Sequence, residues 1–224
     1  MAGLIALVGG DEFCPECEPM DRALLSRFGK QPRVIVLPTA AARENPLRAA
    51  DNGVRYFRSL GARADAVMIT HASTARETEL VWQIKNVDVV YFTGGDPVHL
   101  LETMRGSPAW DAARQVVEAG GTLAGSSAGA MICGGQMWAP GLGWREGLGL
   151  VPNIALIPHH ATLAARWNAD RMKEALPPGV TLVGIDVATA LVGAGSYWRV
   201  SGAGEVTVYR EEAVARTDGE SVSL

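Results

Sequence analysis

Cysteine, aromatic side chains and long apolar runs are all scarce in this chain of 224 residues. With only 3 cysteines, an odd number, the chain cannot be a disulfide-framed secreted scaffold, and free thiols in a reducing cytoplasm are expected. Positive charge is not in excess either: 20 Lys and Arg stand against 24 Asp and Glu, giving a net charge of −4 and a pI of about 5.6. These charges are scattered, so there is no basic stripe, and neither nucleic acid nor an anionic membrane surface is an expected partner. No apolar run approaches the roughly 18 residues that would suggest a membrane span. The opening MAGLIALVGG has no basic residue and its apolar run stops at Gly9, so a first buried strand is expected there and not a leader peptide.

What is present suits a soluble globular protein: 48% hydrophobic and 20% charged residues, enough apolar material for a sizeable core. A single domain over residues 1–224 is expected. Strand-like apolar runs at Leu4–Val8, Val34–Leu37, Ala66–Ile69, Val89–Phe92 and Thr122–Ala124 alternate with helical stretches. The helices fall at Asp21–Phe28, Pro46–Leu60, Arg76–Ile84, Val98–Met104 and Pro108–Ala119. That alternation predicts an α/β fold, a doubly wound, mostly parallel sheet with helices on both faces. The glycine-rich segment from Gly134 to Asn153 lacks periodicity and reads as an ordered loop near the site. A strand at Ile154–Ile157, a helix near Ala161–Leu176 and strands near Leu182–Ile185 and Thr189–Val192 follow. A C-terminal β-hairpin turning about Gly202–Gly204 and a frayed last ten or so residues complete the pattern.

The chemistry-bearing stretch is Gly125-Ser126-Ser127-Ala128-Gly129, which fits G-x-S-x-G where a strand turns into a helix. The glycines two residues either side of Ser127 permit a strained turn that holds its hydroxyl at a strand's carboxyl end. The plain alternative is a Gly/Ser/Ala-rich helix start in which the serine only caps. Among 4 histidines, His159 and His160 follow a short strand at the sheet edge where α/β sites assemble, and one of them is the expected base. His71 and His99 read as surface or capping residues. Gly94-Gly95, after the strand Val89–Phe92, is either a tight turn or a source of an N–H that would pair with that of Ala128 as an oxyanion hole.

These residues, together with Gly9-Gly10-Asp11-Glu12-Phe13, Phe92-Thr93-Gly94-Gly95-Asp96, Gly147-Leu148-Gly149-Leu150 and Pro158-His159, resemble peptidase family S51 over roughly Leu4 to Leu191. The family includes cyanophycinase and the aspartyl dipeptidase peptidase E, and has a class I glutamine-amidotransferase-like fold. The resemblance implies a serine peptidase for small peptides, with no cofactor and no metal. Ser127 would be the nucleophile, His159 the base, and Gly95 and Ala128 the oxyanion donors. It places the third catalytic member in the loop before the histidine, where Glu146 is the sole acid, with Asp186 second and a missing acid the remaining option. Asp96, His160, Arg166 and Arg171 become candidate substrate contacts, the arginines for a substrate carboxylate. Where cyanophycinase-type sequences carry Gln after Gly-Gly-Asp and a cluster of arginines after the histidine, this chain has Pro97 and only Arg166 and Arg171, which argues against cyanophycin itself.

Two rival readings remain. A degenerate, regulatory amidotransferase-like domain would explain a missing acid. A serine esterase would use Trp138 and Trp144 to line a hydrophobic pocket, although the same pair suits a homodimer contact. Cys14-Pro15-Glu16-Cys17 has no second pair to complete a zinc site and reads as incidental thiols.

Overall fold

The computed structural model describes residues 3–224; Met1 and Ala2, part of the N-terminal stretch discussed above, lie outside the described residues. In chain order the elements are β1 (Leu4–Val8), α1 (Glu18–Leu25), β2 (Arg33–Leu37), α2 (Pro46–Ser59), β3 (Arg63–Ala66), α3 (Thr78–Ile84), β4 (Val89–Phe92), α4 (Pro97–Met104), α5 (Pro108–Glu118), β5 (Thr122–Ser126) and α6 (Ala128–Met131). After these come β6 (Gly134–Ala139), β7 (Gly143–Glu146), β8 (Val151–Ile157), α7 (His160–Trp167), α8 (Ala169–Glu174), β9 (Thr181–Ile185), β10 (Thr189–Ala194), β11 (Tyr197–Gly202), β12 (Val206–Tyr209), β13 (Ala213–Arg216) and β14 (Ser221–Val222).

The strands form two sheets, one ordered β14-β11-β10-β1-β5-β4-β2-β3 and the other β13-β12-β9-β8-β6-β7. In the first, β1, β5, β4, β2 and β3 run parallel, and β10, β11 and β14 extend it antiparallel. Strand side chains alternate between faces, so each short apolar run is split between two layers. Val34 and Val36 join Tyr91 and Ala124 against Leu24, Leu25 and Phe57 of α1 and α2. Ile35 and Leu37 join Val90, Phe92 and Leu123 against residues of α3, α4 and α5 such as Ile84, Leu100 and Trp110. Burial on both faces is why these strands read as continuous apolar runs rather than alternating ones. The second layer's core continues without a break into the second sheet through Met137, Ile154, Leu156, Val183 and Val206. That sheet's far face is covered by α7 and α8 through Leu163, Trp167 and Met172. No helix among the described residues is long and apolar enough to cross a membrane.

Several expectations shift. The strand expected at Ala66–Ile69 lies at Arg63–Ala66, because β3 is the sheet's edge, where polar residues are tolerated, while Val67 and Ile69 are buried just beyond it. The expected loop from Gly134 to Asn153 contains β6, β7 and the start of β8. Gly134, Gly135 and Gly147 serve close strand approach, since a Cβ on Gly135 would meet the Pro152 carbonyl oxygen, whereas Gly141, Gly143 and Gly149 have open space around them and positive φ that suits turns. The helix expected over Ala161–Leu176 breaks in two at Asn168, whose φ of 58° ends α7 and whose side chain caps α8. The C-terminal hairpins turn elsewhere: β10 pairs with β11 about Gly195, and β12 with β13. Gly202–Gly204 is a crossing between sheets, tied to the Asp186–Thr189 turn by Gly204 N–H to Thr189 Oγ1 at 2.7 Å and Glu205 N–H to Asp186 Oδ2 at 3.1 Å. Nor is the tail frayed, for β14 pairs with β11 and Val222 is buried.

One buried acid gives the fold a pH signature. Asp21 of α1 accepts a 2.8 Å hydrogen bond from the Tyr56 hydroxyl, while its Oδ1 is buried with no partner among the described residues. Burial raises its pKa from 3.8 to about 7. A folded-state pKa above the unfolded one means that the native chain holds the proton more tightly, so stability is fullest below the unfolded value and is lost as pH rises through about 7. At about 1.4 kcal/mol per pH unit that interval is worth at most about 4 kcal/mol. Asp21→Asn keeps an acceptor for Tyr56 and removes the charge. In urea melts between about pH 4 and pH 8 the variant should lose much of the wild-type decline and be the more stable protein at the alkaline end. A variant less stable than wild type at pH 8 would contradict this account of Asp21.

Candidate active site

The loops that follow β1, β2, β4 and β5 converge at the carboxyl ends of neighbouring parallel strands, the place where open α/β sheets hold their ligands. Ser127 lies between β5 and α6 with φ of 48° and ψ of −107°. A non-glycine residue held there stores about 1–3 kcal/mol of strain. It is pinned by its own N–H to the Val8 carbonyl and by the Met131 N–H to its carbonyl, both at 2.9 Å. The flanking glycines are sterically required: a Cβ on Gly125 would lie 2.4 Å from the Gly129 oxygen, and one on Gly129 would lie 2.6 Å from the Phe92 oxygen. The helix that follows is only 4 residues long, so what it offers the serine is free backbone N–H groups more than a macrodipole.

The loop after β4 closes against this turn. A Cβ on Gly94 would stand 3.4 Å from Ser127 Cβ, and one on Gly95, at φ of 137°, would strike the Ala40 oxygen at 2.4 Å. Gly94 N–H is taken by Glu12 Oε1 at 2.7 Å, and the other Glu12 oxygen accepts from Ser126 Oγ at 2.6 Å. One carboxylate from the β1 loop thereby ties the β4 loop to the turn that presents Ser127. The N–H groups of Gly95 and Ala128 have no hydrogen-bond partner among the described residues; Gly95 lines the cleft, whereas Ala128 is fully buried behind Ser127.

His159 reaches the same cleft with φ of 45°, held by its N–H to the Gly9 carbonyl at 2.8 Å. Its imidazole lies on Gly10, where a Cβ would be 2.4 Å from Nε2, so no larger residue fits beneath it. Nδ1 is 3.8 Å from Asp11 Oδ1. No hydrogen bond joins His159 to the Ser127 hydroxyl among the described residues; in sites without substrate such contacts are commonly long and tighten on binding.

The remaining sequence candidates fall elsewhere. His160 points toward the second sheet, with Nε2 2.7 Å from the Tyr209 hydroxyl, Nδ1 3.7 Å from Asp186 Oδ1, and its ring against Gly184. Burial lowers its pKa, against the raising effect of Asp186 and Glu205. Glu146 has no contact with His159: it pairs with Gln136 across the β6–β7 hairpin, its side chain is 83% exposed, and its ion pair is with Arg105 at 3.8 Å. Asp186 is spent on the N–H groups of Ala161 and Glu205 as well as on His160. Asp96 caps α4 through the N–H groups of Val98 and His99 and pairs with Arg43 at 3.2 Å, away from the cleft lining. Arg166 and Arg171 sit on the exposed sides of α7 and α8 and do not line the cleft. Trp138 and Trp144 stack edge to face at 5.2 Å and pack on α8, with Trp144 Nε1 donating to the Met172 carbonyl at 3.1 Å, so they brace the second sheet. His71 and His99 bond to Thr70.

The cleft, of about 450 Å³, is lined instead by Asp11, Glu12 and Phe13 from the β1 loop and by Glu44, Asn45, Arg48 and Asn52 from α2 and its approach, together with Gly94, Gly95, Ser127 and His159. Asp11 and Arg48 are functional candidates that the sequence pattern alone passes over. The sheet order is the signal for Asp11, since β1 lies directly beside β5 and its loop must meet the serine turn. No group of three or more His, Cys, Asp or Glu side chains placed to hold a metal ion occurs among the described residues.

Known proteins resemble this chain in sequence and fold. The profile of the family described as Peptidase family S51 matches residues 4–199. Cyanophycinases of Nostoc sp. and Trichormus variabilis are each 28% identical over 137 residues, 60% of this chain and 46% of theirs. The chain thus spans about half the length of the curated relatives it matches. The crystal structure of a peptidase from an acI-B1 actinobacterium aligns with a TM-score of 0.90 at 31% identity, covering 100% of this chain and 98% of that one. A candidate peptidase E from Listeria monocytogenes EGD-e aligns with a TM-score of 0.70 at 20% identity over 91% of this chain and 100% of its own, a likeness of fold.

Proposed function

Since the chain belongs to peptidase family S51, we propose that it is a serine-type peptidase that hydrolyses short peptides through an acyl-enzyme on Ser127. The observation that carries this reading is the strained backbone of Ser127 beside Gly94, in one cleft with His159. Ser127 Oγ attacks the peptide carbonyl while His159 takes its proton, and the N–H groups of Gly95 and Ala128 receive the developing oxyanion. His159 then gives the proton to the leaving amine, and water attacks the acyl-enzyme with the same imidazole as base. Asp11, 3.8 Å from Nδ1, supplies the negative charge that supports the imidazolium and its orientation. In this reading it does the work that the family pattern assigns to an acid in the loop between serine and histidine, for which Glu146 is the sole candidate in this chain.

The cleft is open, polar and carries both signs of charge, which suits a short zwitterionic peptide better than an apolar ester. Arg48, in the first turn of α2, is the cleft's cation and replaces Arg166 and Arg171 as the reader of a substrate carboxylate. A panel of dipeptides and tripeptides, free or amidated at the C-terminus and with or without an acidic side chain, tests this directly. Wild type should cleave peptides that bear a carboxylate within reach of Arg48. Arg48→Ala should raise KM for those peptides by roughly 10- to 100-fold, the loss of a charge-assisted hydrogen bond, with little change in kcat. Equal KM values for the variant and wild type would remove Arg48 from substrate recognition. No cleavage of any peptide, with ester cleavage retained, would favour the esterase reading.

A further inference from the structure

The loop that carries Asp11 and Glu12 runs directly into Cys14-Pro15-Glu16-Cys17, and the structure gives those thiols a geometry that incidental cysteines do not require. Both are free. Their sulfurs lie 3.4 Å apart. A turn closed by the Cys17 N–H to the Cys14 carbonyl at 3.1 Å joins them. Such a turn keeps the two Cα atoms within about 7 Å, close to the spacing that a disulfide spans without rebuilding the backbone.

The two sulfurs are unequal. Cys14 is partly exposed and lines a cleft of about 540 Å³ that shares Glu12, Phe13 and Asn52 with the cleft of Ser127, so a small oxidant that enters one reaches the other. Cys17 is buried, and burial, followed by the neighbouring Cys14 thiol, pushes its pKa well up. Its Sγ–H donates to the Asp11 carbonyl at 3.4 Å. The buried thiol is therefore one of the contacts that hold Asp11 at φ of 54°, with its carboxylate toward His159.

We propose that Cys14 and Cys17 form a reversible disulfide and that closing it slows the catalytic site by releasing Asp11; the second half rests on the peptidase reading above. With hydrogen peroxide as oxidant, the Cys14 thiolate attacks one peroxide oxygen, the O–O bond breaks, and a sulfenic acid and hydroxide result. The Cys17 sulfur then attacks Cys14 Sγ, the S–O bond breaks, and the departing hydroxide takes the Cys17 thiol proton as water. The peroxide is reduced to two waters in all, counting the hydroxide protonated by solvent, and the thiol pair is oxidised by two electrons. The sulfurs must draw together to about 2.05 Å, and Cys17 no longer has a proton to donate to Asp11. A shift of the order of 1 Å at a catalytic group is enough to cost up to 10²-fold in rate.

The test uses the full chain, reduced and then exposed to graded hydrogen peroxide. After quenching, denaturation and alkylation, reduced protein should take up 3 alkyl groups, one for each cysteine of the chain. The oxidised protein should take up alkyl only at Cys133, with a Cys14–Cys17 link in the peptide map. Labelling of Ser127 by a fluorophosphonate should slow by about tenfold or more on oxidation and recover with dithiothreitol. Cys14→Ser and Cys17→Ser should each show no oxidant response, and Cys14→Ser, at the exposed position, serves if the buried variant does not fold. Full alkylation after peroxide, or Cys14 driven to sulfinic acid without a link, overturns the disulfide. A link that forms with the labelling rate unchanged overturns the control of the site. Because the link is read by mass, a chain that forms it but never labels at Ser127 contradicts the peptidase reading and leaves the disulfide standing.

Discussion

Ser127→Ala is expected to lower kcat/KM for peptide hydrolysis by about 10⁴-fold or more, the largest effect of any single substitution in the cleft. The reason is chemical and not conformational. The hydroxyl is the atom that forms the acyl bond, and what remains without it is binding plus an oxyanion hole, which by themselves retain only a small fraction of the rate. The backbone at φ of 48° is held by hydrogen bonds of the main chain, Ser127 N–H to Val8 and Met131 N–H to Ser127, and alanine keeps both. Thermal stability should therefore change little, and alanine should not relax the turn. His159→Ala should fall by a comparable factor, and the double variant by no more than either alone, because nucleophile and base act as a unit. A Ser127→Ala protein that cleaves peptides at more than a hundredth of the wild-type rate would contradict the mechanism.

Glu12→Ala is the second large effect, an expected drop of about 10²- to 10³-fold in kcat with KM nearly unchanged. Glu12 lines the cleft, but both of its carboxylate oxygens are engaged by the protein. It acts through two neighbours, Gly94 N–H at 2.7 Å and Ser126 Oγ at 2.6 Å, and so fixes the loop that offers Gly95 N–H against the turn that offers Ala128 N–H. Donors placed before the charge develops are what make an oxyanion hole effective, and their misplacement is felt in the transition state more than in the bound substrate. Ser126 is fully buried, so losing its acceptor also costs about 1–3 kcal/mol of stability. Glu12→Gln separates the two consequences. Its amide oxygen can take the Gly94 N–H, and its NH₂ can donate to Ser126 Oγ with the hydroxyl reversed, so much of kcat should return. Loss of rate that follows thermal stability through the series, with no split between kcat and KM, would reduce Glu12 to a structural residue.

The parallel half of the first sheet was legible because its strands are buried on both faces. Val34–Leu37 and Val89–Phe92 are short, uninterrupted apolar runs rich in Val and Ile or aromatic residues, which is the pattern of a strand covered on both faces. The second sheet was hidden for the opposite reason. In β6 and β7 the sheet is built by glycines that let backbones approach and by tryptophans that pack on α8, so the segment reads as loop although every strand in it is paired. The alternating strands β11 and β12 were visible as strands, but alternation says nothing about partners, and the two belong to different sheets.

At the proposed site, the residues whose proposed role leaves a mark on the local chain are the ones that the sequence singles out. Ser127 needs glycines two residues away on either side, and His159 follows a strand and a proline. The proposed acid, Asp11, is not singled out in this way, because its requirement is only to be a carboxylate near Nδ1, and any loop at that sheet edge can supply one. Expecting it between Ser127 and His159 selects Glu146, which the β6–β7 hairpin carries away, while Asp11 arrives from the other end of the chain because β1 pairs with β5. The same long-range pairing brings Glu12 to Ser126 across a separation of 114 residues, a contact that no local pattern encodes.

The central claim, that Ser127 is an activated nucleophile served by His159, is tested most directly by covalent labelling with a fluorophosphonate probe and mapping of the modified peptide. Wild type is expected to carry one probe per chain, attached at Ser127, with no labelling of Ser127→Ala and strongly slowed labelling of His159→Ala. Wild-type protein that stays unlabelled, or a Ser127→Ala variant that labels as fast as wild type, would contradict it.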